Sequence, residues 1–184
     1  SIKEALNIIH GPSIEDDILK IKSFNHPAQK RLIVEELLTN LIGVKISTKK
    51  IDAMKSPRIS SSKTLIEEFQ KNLPFKLTRS QLSVIEEITE NLDGSKPMRR
   101  LEQGDVGSGK TVVAAAAMLC ASRNNFQSVL LCPTEVLAEQ HYKNLIKHLN
   151  PLFVSVELLT GNTPQKKRKE ILSNLNNGAV DILV

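Results

Sequence analysis

The densest run of chemistry-bearing residues in this sequence is Gly104, Asp105, Val106, Gly107, Ser108, Gly109, Lys110 and Thr111. Their spacing fits G-x-x-x-x-G-K-[ST], a loop that folds around phosphate oxygens. The glycines permit turns so tight that successive N–H groups face inward and form a nest for an anion. Strong helix formers follow from Val112 to Ser122, so the positive end of a helix dipole falls on the same nest. In such a loop the Lys110 ammonium reaches the β- and γ-phosphates, and the Thr111 hydroxyl is a Mg²⁺ ligand. A nucleoside triphosphate with Mg²⁺ is the expected ligand. The plain alternative is a Gly-rich turn that binds nothing.

The elements that must hold this loop can be read on either side of it. Met98 to Leu101 suits a short strand leading in. Beyond the loop helix, Val129 to Cys132 reads as a buried strand, and Pro133-Thr134 opens a helix to Leu149. Val154 to Leu159 is a second strand, Thr160-Gly161-Asn162 a turn, and Thr163 caps a helix from Pro164 to about Asn176. Gly178 breaks it before a strand at Val180–Val184. Strands alternating with helices predict right-handed crossovers and a parallel α/β sheet. Ahead of the loop, Thr78 caps a helix to about Leu92, with Leu82, Ile85, Ile88 and Leu92 inward, and Thr64 to Asn72 forms a short amphipathic helix.

The first third of the chain is helical. Ser1 and Glu4 form a capping box, Gly11-Pro12 stops that helix, and Ser13 with Asp16 restarts one to about Phe24. After the break at Asn25-His26-Pro27, Leu32, Ile33, Leu37, Leu38, Leu41 and Ile42 recur at helical spacing; Gly43 either ends this helix or is tolerated. Six basic residues and one acid stand between Lys45 and Lys63, a solvated face or a surface for a phosphate backbone. Pro57 to Ser62 reads as a linker, which places a helical region at 1–62 and the α/β region at 63–184.

Composition narrows the class without naming a ligand. At 184 residues, 40% hydrophobic and 24% charged, the chain can bury a core; 3% aromatics leave that core to Leu, Ile, Val and Ala. A net charge of +5 permits nucleic acid but does not establish it. Cys120 and Cys132 lack metal-ligand spacing and read as free thiols in a reducing cytoplasm. No apolar run is long enough to span a membrane, and no signal-peptide pattern opens the chain. The four histidines show no metal spacing; His141 and His148 read as surface residues of one helix face, and Lys166–Lys169 as a solvated cluster or, alternatively, a DNA-facing one.

Three further stretches carry a resemblance. Phe75-Lys76-Leu77-Thr78-Arg79-Ser80-Gln81 resembles the Q-motif of superfamily 2 helicases, which implies that Gln81 reads the adenine edge with its amide donor and acceptor and that Phe75 lies at the nucleotide. Thr78-x-x-Gln81 is also a capping box that needs no nucleotide; both roles are compatible. Pro133-Thr134-Glu135-Val136-Leu137-Ala138-Glu139-Gln140-His141 resembles helicase motif Ia, which implies that Pro133, Thr134 and Glu135 meet a DNA backbone. Thr134 is equally explained as an N-cap. Thr160-Gly161 resembles the next backbone-contacting turn, and a plain turn explains it as well.

The wording of Leu101 to Ala114, of the motif Ia stretch and of Leu158-Leu159-Thr160-Gly161 is similar to the RecG family of bacterial branched-DNA helicases. The loop also resembles those of the transcription-repair coupling factor and the primosomal helicase. Glu4-Ala5-Leu6, Ile9-His10, His26 to Leu32 and Glu35 to Leu38 resemble the RecG segment joining wedge to motor, for which the coupling factor has no counterpart. Glu102 departs from the family, which usually has an apolar residue there. The resemblance implies an ATP- and Mg²⁺-dependent monomeric helicase that remodels branched or duplex DNA at stalled forks and junctions. It reaches only the linker and the first part of one RecA-like lobe. No Asp-Glu-x-His or Asp-Glu-x-x box occurs here to orient water, so this stretch alone is expected to be nearly inert. The rivals are a small-molecule P-loop kinase or transporter ATPase, which would lack a glutamine placed like Gln81, and a module that binds nucleotide without turning it over.

Overall fold

The computed structural model describes residues 1–12 and 15–184, with the backbone alone at 15–17 and 52. It divides into two compact units, Ser1–Met54 and Lys55–Val184.

In the first unit, α1 (Ile2–His10) carries the expected Ser1/Glu4 capping box. The helix start read at Ser13 lies outside the described residues, and α2 spans Glu15–Lys22. Pro27 opens α3 (Pro27–Asp52), which runs through Gly43. His26 does more than break the chain: it is 7% exposed, and its Nδ1 accepts the Ala28 N–H at 3.0 Å as an N-cap. Ala5 and Ala28 are buried where α1 packs on α3, whereas Ile33, Leu37, Leu38, Leu41 and Ile42 stay exposed along α3.

The second unit holds the loop. Its opening stretch, linker-like in composition, is bonded to the unit's own body. Ser56 N–H donates to Ser95 O (3.0 Å), Ile59 N–H to Leu92 O (2.9 Å), and Asn124 both accepts from and donates to the Ser60 backbone. The division therefore falls between Met54 and Lys55, ahead of the 62/63 boundary that composition suggests. Helices α4 (Lys63–Lys71) and α5 (Arg79–Leu92) follow, capped by Ser62 and Thr78. Next come α6 (Lys110–Arg123), β1 (Ser128–Val129), α7 (Glu135–Leu149), a single 3-10 turn (Asn150–Leu152), β2 (Val156–Glu157), α8 (Gln165–Asn176) and β3 (Ile182–Leu183).

The sheet is parallel, as the alternation predicts, with β3 central: Ile182 lies opposite both Ser128 and Val156. Val180, Ile182 and Val184 alternate inward along the last strand. The buried side of α6 supplies Val112, Val113, Ala115, Ala116, Met118, Leu119 and Cys120, and Phe69, Ile85, Ile88, Leu145 and Leu149 pack into the same core. The Asp181 carboxylate accepts from the Ser122 hydroxyl (2.8 Å) and the Ser155 N–H (2.7 Å), tying α6 and β2 to the central strand.

Three expectations fail. Met98–Leu101 forms no strand, since a strand needs a ladder partner and none bonds it among the described residues; Leu101 is 87% exposed. Val129–Cys132 is not buried throughout, because the pleat turns Val129 and Leu131 outward while Leu130 and Cys132 pack on the core. Thr163 does not cap α8; its hydroxyl accepts the Thr160 N–H (2.9 Å), and Pro164 occupies the cap position.

Both cysteines are free. Burial pushes the Cys120 thiol above its ordinary range, with a Ser61 hydroxyl contact acting the other way. No helix among the described residues is long and apolar enough to cross a membrane.

Candidate phosphate-binding site

Helix α6 starts without a side-chain cap. Its N-cap, Gly109, has φ +84° and ψ +25°, and Gly107 has φ +84°, a left-handed region that residues with a Cβ enter at a cost. Ser108 and Val112 donate their N–H groups to Asp105 O and Gly109 O. The N–H groups of Gly107, Gly109, Lys110 and Thr111 find no acceptor among the described residues. Four unpaired donors at the positive end of a helix fit a phosphate group. The Lys110 ammonium folds back over the loop and donates to Gly104 O (2.7 Å), Asp105 O (2.8 Å) and, at a longer 3.4 Å, Ser108 Oγ. Among the described residues the hydrogen bonds of this ammonium all go to neutral oxygens, which an entering anion can displace. Glu102, which departs from the family pattern, has its carboxyl raised by burial, while the Lys110 charge pulls it back down.

Gln81 is occupied on both sides of its amide. Its Oε1 accepts the Thr78 N–H (2.8 Å) and Thr78 Oγ1 accepts the Gln81 N–H (3.2 Å), completing the capping box of α5. Its Nε2 donates to Ser108 O (2.9 Å), and a Cβ on Gly109 would stand 2.3 Å from that nitrogen. The glutamine thus links the start of α5 to the loop, and an adenine edge must displace one of these bonds. Phe75 sets its ring edge-on to His148 of α7, with centroids 6.0 Å apart at 84°. Burial holds His148 below the usual histidine range, with the Lys147 charge adding to the shift, and its Nδ1 is buried without a partner among the described residues.

His141 and His148 lie only partly at the surface. Both are half-buried on the side of α7 that carries Ala138, Leu145 and Leu149 into the core. His141 Nδ1 lies 3.4 Å from Thr111 Oγ1. The absence of metal spacing at these histidines does not reveal this contact. The signal was their helical register with the apolar positions.

Pro133, Thr134, Glu135, Thr160 and Gly161 meet at the carboxyl end of the sheet, and Glu135 joins them. Its carboxylate accepts the Asn162 N–H (3.0 Å) and the Asn162 side-chain amide, and a Cβ on Gly161 would stand 3.0 Å from its Oε1. Thr134 caps α7, its hydroxyl accepting the Leu137 N–H (3.3 Å). Arg168, read as part of a solvated cluster, donates to Thr160 O (2.8 Å) and braces the same turn. Loops that follow parallel strands share one edge of the sheet, and that rule could have paired these two corners in advance.

The comparisons agree with this geometry. The DEAD/DEAH box helicase family matches residues 78–184. ATP-dependent DNA helicase RecG of Synechocystis sp. is 51% identical over 120 residues, 65% of this chain and 14% of that protein. RecG of Haemophilus influenzae is 39% identical across all of this chain and 27% of its own length, and RecG of Escherichia coli is 37% identical with the same coverage. A solved structure of RecG bound to a three-way DNA junction superposes with a TM-score of 0.78 at 38% identity, over 85% of this chain and 22% of that one. The chain spans less than a third of the length of these relatives. With the glycine-capped helix, the glutamine linked to its loop and a family match over more than half of its residues, the chain belongs to the DEAD/DEAH box helicase family.

Proposed function

We propose that this chain is the nucleotide-gripping part of a RecG-type, ATP-dependent DNA translocase that remodels branched or duplex DNA, acting as a cytoplasmic monomer. The observation that carries the reading is the uncapped start of α6, where four N–H groups find no acceptor among the described residues, beside a lysine hydrogen-bonded to neutral oxygens. ATP with Mg²⁺ would supply the scissile phosphoanhydride and a Lewis-acidic cation. Gly104 to Gly109 would bind its phosphates through main-chain N–H groups, and Lys110 would leave its two carbonyls to offset charge on the terminal phosphate. Thr111 would offer its hydroxyl oxygen to the cation. Gln81 and Phe75 would recognise the adenine, Gln81 by exchanging its bond to Ser108 for one to the base edge. Pro133, Thr134, Glu135, Thr160 and Gly161 would meet the DNA backbone. The similarity to RecG along the whole chain, helical unit included, favours branched DNA over the substrates of other helicases in the family.

Replacing Lys110 with Ala in the full-length protein tests the reading. DNA-stimulated ATP turnover should fall by about 10²–10³-fold with the melting temperature unchanged. Retained turnover refutes it.

A further inference from the structure

A hydroxyl that gives a lone pair to a cation must send its single proton elsewhere. Thr39, Thr48 and Thr89 do so within their own helices, donating to Glu35 O (2.8 Å), Val44 O (2.9 Å) and Glu86 O (2.8 Å). Thr111 is the second residue of α6, so the turn before it is the phosphate loop and not helix. Among the described residues its hydroxyl has one side-chain hydrogen-bond partner, the His141 imidazole at 3.4 Å. Packing holds that ring in place. His141 shares the inward face of α7 with Ala138 and Leu145, both buried, and α7 packs against α6.

We propose that His141 is a positioning residue for Thr111: its Nδ1 accepts the hydroxyl proton and so turns an oxygen lone pair toward the cation that accompanies the nucleotide. The inference rests on reading Thr111 as the Mg²⁺ ligand. The tautomer is then defined, with the ring proton on Nε2 and Nδ1 as the acceptor. A separation of 3.4 Å is long for O–H···N, and contacts of this kind shorten when the ligand arrives. His141 therefore belongs behind the hydroxyl as an outer partner. Such partners typically tune metal affinity by about 10–100-fold.

The test titrates Mg²⁺ against a fluorescent adenine nucleotide bound to the full-length protein, at fixed pH. His141→Phe keeps the ring volume without an acceptor and should raise the Mg²⁺ half-saturation about tenfold, with Mg²⁺-free nucleotide binding unchanged. His141→Asn, which restores an acceptor near Nδ1, should recover most of the loss. In turnover, the Phe variant should lose kcat at subsaturating Mg²⁺ and regain it as Mg²⁺ rises. If the Phe variant matches the wild type in Mg²⁺ half-saturation, or Asn recovers nothing, the proposal is overturned. A wild type whose nucleotide binding ignores Mg²⁺, with Thr111→Val indistinguishable from it, would instead bring down the underlying reading of Thr111.

Discussion

Helices α6 and α7 both begin where a phosphate is expected, yet their N-termini are built in opposite ways. At α7 the Thr134 side chain occupies the Leu137 N–H, so one first-turn donor is satisfied without a ligand. At α6 the cap is a left-handed glycine, no side chain among the described residues caps the free N–H groups, and they stay open to an anion. Forgoing a cap costs about 0.5–2 kcal/mol. Burial outweighs that: Val112, Val113, Met118 and Leu119 each gain about 1.5–3 kcal/mol on leaving water. The centre of the core can carry an open terminus. Helix α7, with Val136 and Leu137 exposed in its first turn, buries less there and keeps its cap.

Within this contrast the largest expected effect comes from Gly109 at the start of α6. Gly109→Ala forces a Cβ into left-handed backbone, at about 1–2 kcal/mol, and into the space held by Gln81 Nε2. Nucleotide affinity should drop by at least about tenfold, read by fluorescence titration of the full-length protein. Affinity equal to the wild type would mean that the open terminus is not the binding feature.

Gln81 shows what remains of the contrast when the two roles of one side chain are separated. Gln81→Glu keeps an acceptor for the Thr78 N–H, so the capping box of α5 survives and the melting temperature should hold. The carboxylate cannot donate to Ser108 O, and preference for adenine over guanine nucleotides should fall several-fold, about 1 kcal/mol. Gln81→Ala should lose both. If Glu and Ala behave alike, the cap is the whole role.

How much of this was legible beforehand follows the same division between local and distant partners. Caps could be read because donor and acceptor sit three residues apart: Ser1 with Glu4, Thr78 with Gln81, and Thr134 with the Leu137 N–H all stand as the sequence implies. The glycines at 107 and 109 could be read because few other residues tolerate φ +84°. What escaped depends on distant chain. Met98–Leu101 has strand-like residues but no ladder partner here, and the outward turn of Val129 and Leu131 depends on which sheet face the helices cover. The hold of Asn124 on Ser60, of Asp181 on Ser122 and Ser155, and of Glu135 on Asn162 each joins residues far apart in sequence. His26 escaped for a different reason: histidine is an uncommon cap, and its ring nitrogen does the work of a hydroxyl.

The smallest effect tests α7 itself, where capping and anion binding would share one terminus. Thr134→Ala removes the acceptor for the Leu137 N–H and should cost about 1 kcal/mol of stability, visible in thermal melting. Thr134→Asp is the sharper change. Aspartate caps as well as threonine, and its charge suits the helix dipole, so melting should match or exceed the wild type. The same charge would face DNA phosphates if this corner holds the backbone. DNA affinity should then fall several-fold below the wild type at low ionic strength, and that gap should narrow as salt screens the repulsion. Were the aspartate variant to bind DNA as tightly as the wild type at every salt concentration, α7 would be a capped helix and nothing more, leaving α6 as the one helix start of the pair that waits for an anion.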